Sequence, residues 1–187
     1  WGIPVVASQL AELGSTMPDY NLSLSSDFNL GGLQVYGLLD GSFGFEIYNQ
    51  TRQWSLFNGR GGELDQAGKD STLYKPIGYY GSSSGLYNAL GPNSHFVEDG
   101  SFLKLRELAV RYTIGSNLLD RAGPLRGFDR VTFGIIGRNL VTWTDYSGYD
   151  PEVGYAGGRT SSPVLNRFDR YGYPNFRTFT ATVELGF

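Results

Sequence analysis

An all-β chain, built from antiparallel strands of a large transmembrane barrel with long extracellular loops, is the fold class that this sequence predicts. Three observations predict it. Long stretches alternate between apolar and polar residues, the signature of a strand with two different faces. The connections between them are by turns short and long, as in membrane barrels with tight turns on one side and loops on the other. Glycine (27), tyrosine (13) and phenylalanine (12) are abundant enough to supply many turns and many interface-seeking rings.

The first strand is expected at about 19–30. Tyr20, Leu22, Leu24, Phe28 and Leu30 share one face, broken only by Ser26. Asn21, Ser23, Ser25, Asp27 and Asn29 make the other face wholly polar. Gly31-Gly32 is a two-residue hairpin signal, because glycine reaches the backbone angles that such turns need. The returning strand, about 33–43, sets Leu33, Val35, Gly37 and Leu39 against Gln34, Tyr36, Leu38 and Asp40.

Residues 44–100 read mainly as loop, with one helical turn near Asn49 to Phe57. A loop of this length counts against a compact soluble domain but is expected outside a membrane barrel. The third strand, about 102–113, carries Leu108, Val110 and Tyr112 on its apolar face. By strict alternation Lys104 and Arg106 fall in the same phase, at the strand's start, where a headgroup region solvates long cationic side chains. A connection over 114–128, with a helical turn near Asn117 to Arg121, leads to a strand at about 130–141. There Val131, Phe133 and Ile135 oppose Arg130, Thr132 and Arg138. A second long loop, 142–175, precedes the last strand, 177–187. In it Phe179, Ala181, Val183, Leu185 and Phe187 alternate without a break against Thr178, Thr180, Thr182, Glu184 and Gly186.

Length separates a membrane barrel from a soluble sandwich. About 12 residues at roughly 3.3 Å span about 40 Å, which at a tilt near 45° rises about 28 Å, the thickness of a hydrocarbon core. Soluble strands are usually about half as long. Loop parity agrees: if Phe187 is periplasmic, both long loops lie outside. Five strands do not close on themselves, and an open edge in lipid costs several kcal/mol per unpaired backbone group. The expectation is therefore that residues 1–187 are the C-terminal part of a larger barrel.

Other classes find little support. A net charge of −3 with scattered signs leaves no footprint for nucleic acid. The absence of cysteine removes disulfides, thiolate metal sites and a cysteine nucleophile. No run of 18 apolar residues marks a transmembrane helix, and no signal-peptide pattern stands at Trp1. His95 is the lone histidine, and no G-x-S-x-G segment accompanies it, so neither an enzyme nor a catalytic residue is expected. Asn58-Gly59-Arg60-Gly61-Gly62 lacks the Lys-Ser or Lys-Thr of a phosphate cradle. Asp145, Asp150 and Glu152 do not have EF-hand spacing and read as turn-formers; no metal and no cofactor are expected.

Six segments carry a family resemblance. Ser101-Phe102-Leu103-Lys104-Leu105-Arg106-Glu107-Leu108 resembles the "fLrLkel.lsYtl" segment of SusC/RagA-type TonB-dependent transporters. Gly137-Arg138-Asn139-Leu140-Val141-Thr142-Trp143-Thr144 resembles their "GrNLfTwT", and Tyr146-Ser147-Gly148-Tyr149-Asp150-Pro151-Glu152 their "YsGyDPE". Tyr173-Pro174-Asn175-Phe176-Arg177-Thr178-Phe179 resembles "YPnpRtft", with Phe176 where a proline is common. Upstream, Met17-Pro18-Asp19-Tyr20-Asn21-Leu22 is similar to "lPdynlg". Asp40-Gly41-Ser42-Phe43-Gly44 with Ile47-Tyr48-Asn49 is similar to "dgsfGgdiyN". Order and spacing match nearly end to end.

The resemblance implies a barrel of about 22 strands with an N-terminal plug, of which these are the last five. It implies uptake of an oligosaccharide or peptide nutrient across the outer membrane of a Gram-negative, Bacteroidetes-like cell. The implied partners are a SusD-like lipoprotein, the TonB complex through an N-terminal part absent from this chain, the barrel-assembly machinery and outer-membrane lipid. Phe179, Val183, Leu185 and Phe187 match the pattern of a C-terminal barrel-assembly signal. Trp54, Tyr79, Tyr80 and Tyr87, in the long loop, offer rings that stack on sugar faces, or that pack the loop on itself or on a partner lid. The alternative to a transporter is a soluble β-sandwich carbohydrate-binding module; it would need about seven short strands with turns every 8–12 residues.

Overall fold

The computed structural model describes residues 7–65, 67–70, 72, 74, 91, 93–121, 123–125, 127–152 and 167–187. They form two compact units. One, the sheet unit, comprises Tyr20–Phe43, Phe102–Thr144 and Asn175–Phe187. The other, the loop unit, is made of the segments before and between them.

The sheet unit holds five antiparallel strands: β1 (Tyr20–Leu30), β2 (Leu33–Phe43), β5 (Phe102–Gly115), β6 (Arg130–Thr144) and β8 (Thr178–Gly186). They lie side by side in that order. Gly31 supplies φ +58 at the turn between β1 and β2. A side chain at Gly32 would drive into the carbonyl of Thr113, whose amide donates to the Gly32 carbonyl at 2.8 Å.

Register carries the alternation across all five strands. Leu30, Leu33, Tyr112, Phe133 and Val183 form one continuous row, and Phe28, Val35, Val110, Ile135 and Ala181 the next. Residues directly opposite in a ladder share a face, so one face is apolar but for Ser26. Most of it is uncovered among the described residues, with Phe28 55% exposed, Ile135 63% and Phe179 70%, while Val131, near the turn end, is buried. A sandwich would bury such a face against a second sheet. Rings concentrate toward both ends of it. Tyr20 stacks on Phe43 at 5.1 Å near the end that carries the long connections. Phe128 meets Phe187 at 5.0 Å at the other.

The opposite face is held by polar pairs. Arg106 bonds Asp40 at 2.7 Å, Arg138 bonds Glu107 at 2.8 Å, and Ser23 donates to Asp40 at 2.6 Å.

One expectation from strict alternation fails. Leu38 faces Glu107 and Leu39 faces Leu105, which leaves Arg106 as an extra residue on β5. Across the next ladder Leu105 faces Val141 and Glu107 faces Arg138, so Asn139 and Leu140 stand opposite that same bulge. The bulge reverses the phase of the strand's first residues. Leu103 and Leu105 join the apolar face through Trp143 and Val141, and Lys104 pairs on the polar side with Asp40 and Thr142. Lys104 is 1% exposed, with its ammonium 5.3 Å from the Phe102 ring. Neither cation lies on the apolar face. Asn139 absorbs the irregularity at φ +52, a conformation that asparagine tolerates better than most residues, and its amide donates to the Phe176 carbonyl at 3.1 Å.

The segment after β2 is not the plain loop that its composition suggests. In the loop unit β3 (Glu46–Asn49) runs straight into helix α1 (Gln50–Phe57). β3 pairs antiparallel with β4 (Val97–Asp99) and parallel with β7 (Phe168–Asp169). Phe45, Ile47, Leu56 and Phe96 make its apolar core, each at most 3% exposed.

A candidate binding cleft in the loop unit

The loop unit is organised around buried polar groups. Asn49 ends β3 and starts α1: its Oδ1 accepts the Arg52 amide at 2.9 Å, which satisfies one of the free donors of the helix's first turn. Its Nδ2 donates to Glu98 at 3.2 Å and to Ser147 at 3.3 Å. Glu98 also accepts the Ser147 hydroxyl and amide, both at 2.9 Å, and the Arg52 guanidinium at 2.9 Å. Arg52 reaches from Glu98 to Glu63, on the turn Gly62–Leu64, and closes that pair with two bonds. These carboxylates hold the guanidinium firmly protonated, against the opposing effect of burial.

Asp169, 2% exposed, is the second hub. It accepts Tyr146 OH at 2.6 Å and Thr51 Oγ1 at 2.6 Å. Burial and then the bond to this carboxylate push the Tyr146 phenol far up, so it stays a donor at any physiological pH. Thr51 in turn accepts the amide of Tyr171 at 2.7 Å, and Tyr171 sits at φ +55. A left-handed tyrosine is uncommon.

Between α1, the turn at Gly61–Glu63 and Ser147–Tyr149 lies a cleft of about 730 Å³. Thr51, Arg52, Ser55 and Asp169 reach it, and the glycines Gly61 and Gly62 line one wall. Tyr149, 83% exposed, stands at it as a free aromatic surface. The arrangement offers hydrogen-bonding groups and a ring, the furnishings of a binding cleft.

Of the residues singled out from sequence, Trp54 lies on α1, 39% exposed, and is not among those lining the cleft. Tyr79, Tyr80 and Tyr87 lie outside the described residues. Phe179, Val183 and Leu185 sit exposed in the apolar row of β8, and Phe187 is exposed just beyond its end. Asp150 accepts the Glu152 amide at 3.0 Å and so shapes a turn. Asn49, Thr51, Arg52, Glu98 and Asp169 were not picked out beforehand. Asn49 lies inside one of the family segments, which was its one visible signal.

No family model matches the chain. TonB-dependent receptor P3 of Formosa agariphila is 26% identical over 193 aligned positions, which cover 94% of this chain and 17% of the receptor. TonB-dependent receptor P26 of the same organism is 27% identical over 182 positions, again 94% of this chain and 18% of the receptor.

This chain is homologous to TonB-dependent receptors.

It spans about a sixth of the length of these curated relatives. Among solved structures, the RagAB peptide transporter superposes with a TM-score of 0.68 at 22% identity, over 92% of this chain and 17% of that one. The RagAB peptide importer in its open-open state gives 0.64 at 23% identity, over 98% and 19%. The sheet of the receptor homologue is thus a section of transmembrane barrel wall, and its location is the outer membrane. The exposed apolar row from Leu30 to Val183 is the pattern expected of a lipid-facing surface.

Proposed function

We propose that the chain is the C-terminal wall and loop region of a TonB-dependent importer that carries an oligosaccharide or peptide nutrient across the outer membrane. The observation that carries this reading is the joint one: an uncovered apolar face in register over five strands, on a chain homologous to TonB-dependent receptors. A sheet of this kind serves in a bilayer, where further strands must pair both of its edges.

In this reading a SusD-like lipoprotein caps the importer from outside, and the TonB complex drives it through a segment outside residues 1–187. Trp54, with Tyr79, Tyr80 and Tyr87, contributes rings toward substrate or lid. The row Phe179, Val183, Leu185 and Phe187 serves the barrel-assembly machinery as its recognition strand.

Growth of a strain lacking the full-length protein, on oligosaccharides or on peptides as sole nutrient, tests the transport reading. The expected result is loss of growth on one class, reproduced by removing TonB. Undiminished growth on both overturns it. Deleting Phe187 from the full-length protein should lower the folded amount in the outer membrane several-fold; an unchanged amount removes the recognition role.

A further inference from the structure

One titratable contact of the loop unit takes no part in the proposed function. His95 Nε2 lies 3.4 Å from Arg52 Nη2. A guanidinium has only donors, so this contact requires Nε2 to be an acceptor, and the ring to be neutral with its proton on Nδ1. A second proton turns both partners into donors and sets two cations side by side. The charged groups facing the ring come from three elements: Arg52 of α1, Glu63 of the adjoining turn and Glu98 of β4. Lys69 lies close by, donating to the Glu63 carbonyl at 2.9 Å. The ring edge meets Phe96 at 5.0 Å.

Arg52 is also the residue that ties one wall of the cleft to the rest. It holds Glu63, at the glycine-lined wall, and Glu98, which fixes Ser147 on the far side. A cationic His95 competes for those same carboxylates and repels the guanidinium that holds them.

We propose that Arg52 and His95 form a pH-sensitive latch that keeps the Glu63-bearing wall of the loop-unit cleft in place at neutral pH and releases it in mild acid. The latch is independent of which nutrient is carried. Burial first, and Arg52 second, hold the His95 pKa below its ordinary 6.5, against the pull of Glu63 and Glu98. The unfolded or opened state therefore binds the proton more readily. Its stabilising contribution is complete above about pH 6.5 and is lost as pH falls from there toward the lower folded value.

Hydrogen exchange of the full-length protein at pH 7.5 and 5.5, corrected for intrinsic rates, reads this directly. The reporters are the amides of Leu64 and Asp65, bonded within the wall at 3.0 and 3.2 Å, and of Ser147, bonded to Glu98 at 2.9 Å. A drop of about one pH unit below the free histidine value limits the gain in opening to about tenfold, and a several-fold acceleration is expected. His95→Gln keeps a neutral acceptor and should exchange alike at both values. Equal wild-type rates, or the same acceleration in H95Q, overturns the latch. Should H95Q not fold, the wild-type profile still decides. A midpoint between about pH 5 and 6.5 supports the histidine; one confined below about pH 4.5, where carboxylates titrate, overturns it.

Discussion

In the sheet unit, the side chains that fix the structure lie two apart along each strand and directly opposite one another across the ladder, as in the row from Leu30 to Val183. In the loop unit they lie far apart in the chain: 98 residues separate Asn49 from Ser147, 118 separate Thr51 from Asp169, and 46 separate Arg52 from Glu98. The sheet turns its apolar groups outward and leaves them there. The loop unit buries polar and charged groups and satisfies them with one another. The difference teaches that solvent sets the rule in each place. In lipid an apolar surface costs nothing and a lone backbone amide is ruinous. In water a cleft can be framed by carboxylates, provided that each finds donors.

Two substitutions and a control sharpen this contrast. Ile135→Arg, in the middle of the exposed apolar rows, should destabilise the full-length barrel by about 2–4 kcal/mol, read from denaturant unfolding in lipid vesicles. A loss below about 1 kcal/mol would mean that this face is covered. Tyr146→Phe withdraws one of the donors from the buried carboxylate of Asp169 and should cost about 1–3 kcal/mol. That loss should appear as faster exchange of the Tyr171 amide, with the sheet untouched; slower or unchanged exchange argues against the hub. Thr180→Lys, on the polar face opposite Ile136, should change stability by under about 0.5 kcal/mol in the same vesicle assay. A penalty as large as that of Ile135→Arg would mean the faces have been assigned backwards.

The same contrast explains what could be read from the chain. The hairpin at Gly31-Gly32 and the unbroken alternation from Phe179 to Phe187 are local signals, and a period of two exposes them at once. A helical turn near Asn49 to Phe57 was also legible, because a turn of helix is a local feature; its cap at Asn49 was not read. The phase of Lys104 and Arg106 was not, since a bulge adds a residue without altering composition and shows itself only in the partner strand's count. The hubs at Glu98 and Asp169 left no periodic trace. Each joins segments that lie far apart in the chain.

The extra residue at Arg106 gives β5 a kind of arithmetic parity. Exchange one side chain there and a single contact changes. Delete the residue, and the strand closes up with Leu38 still opposite Glu107, Leu39 still opposite Leu105 and each side chain on its own face; draw it into the regular ladder instead, and every position before it is transposed, Lys104 to the apolar side and Leu103 and Leu105 to the polar one. At this one place the two faces of the strand therefore depend on a residue that stands outside the alternation.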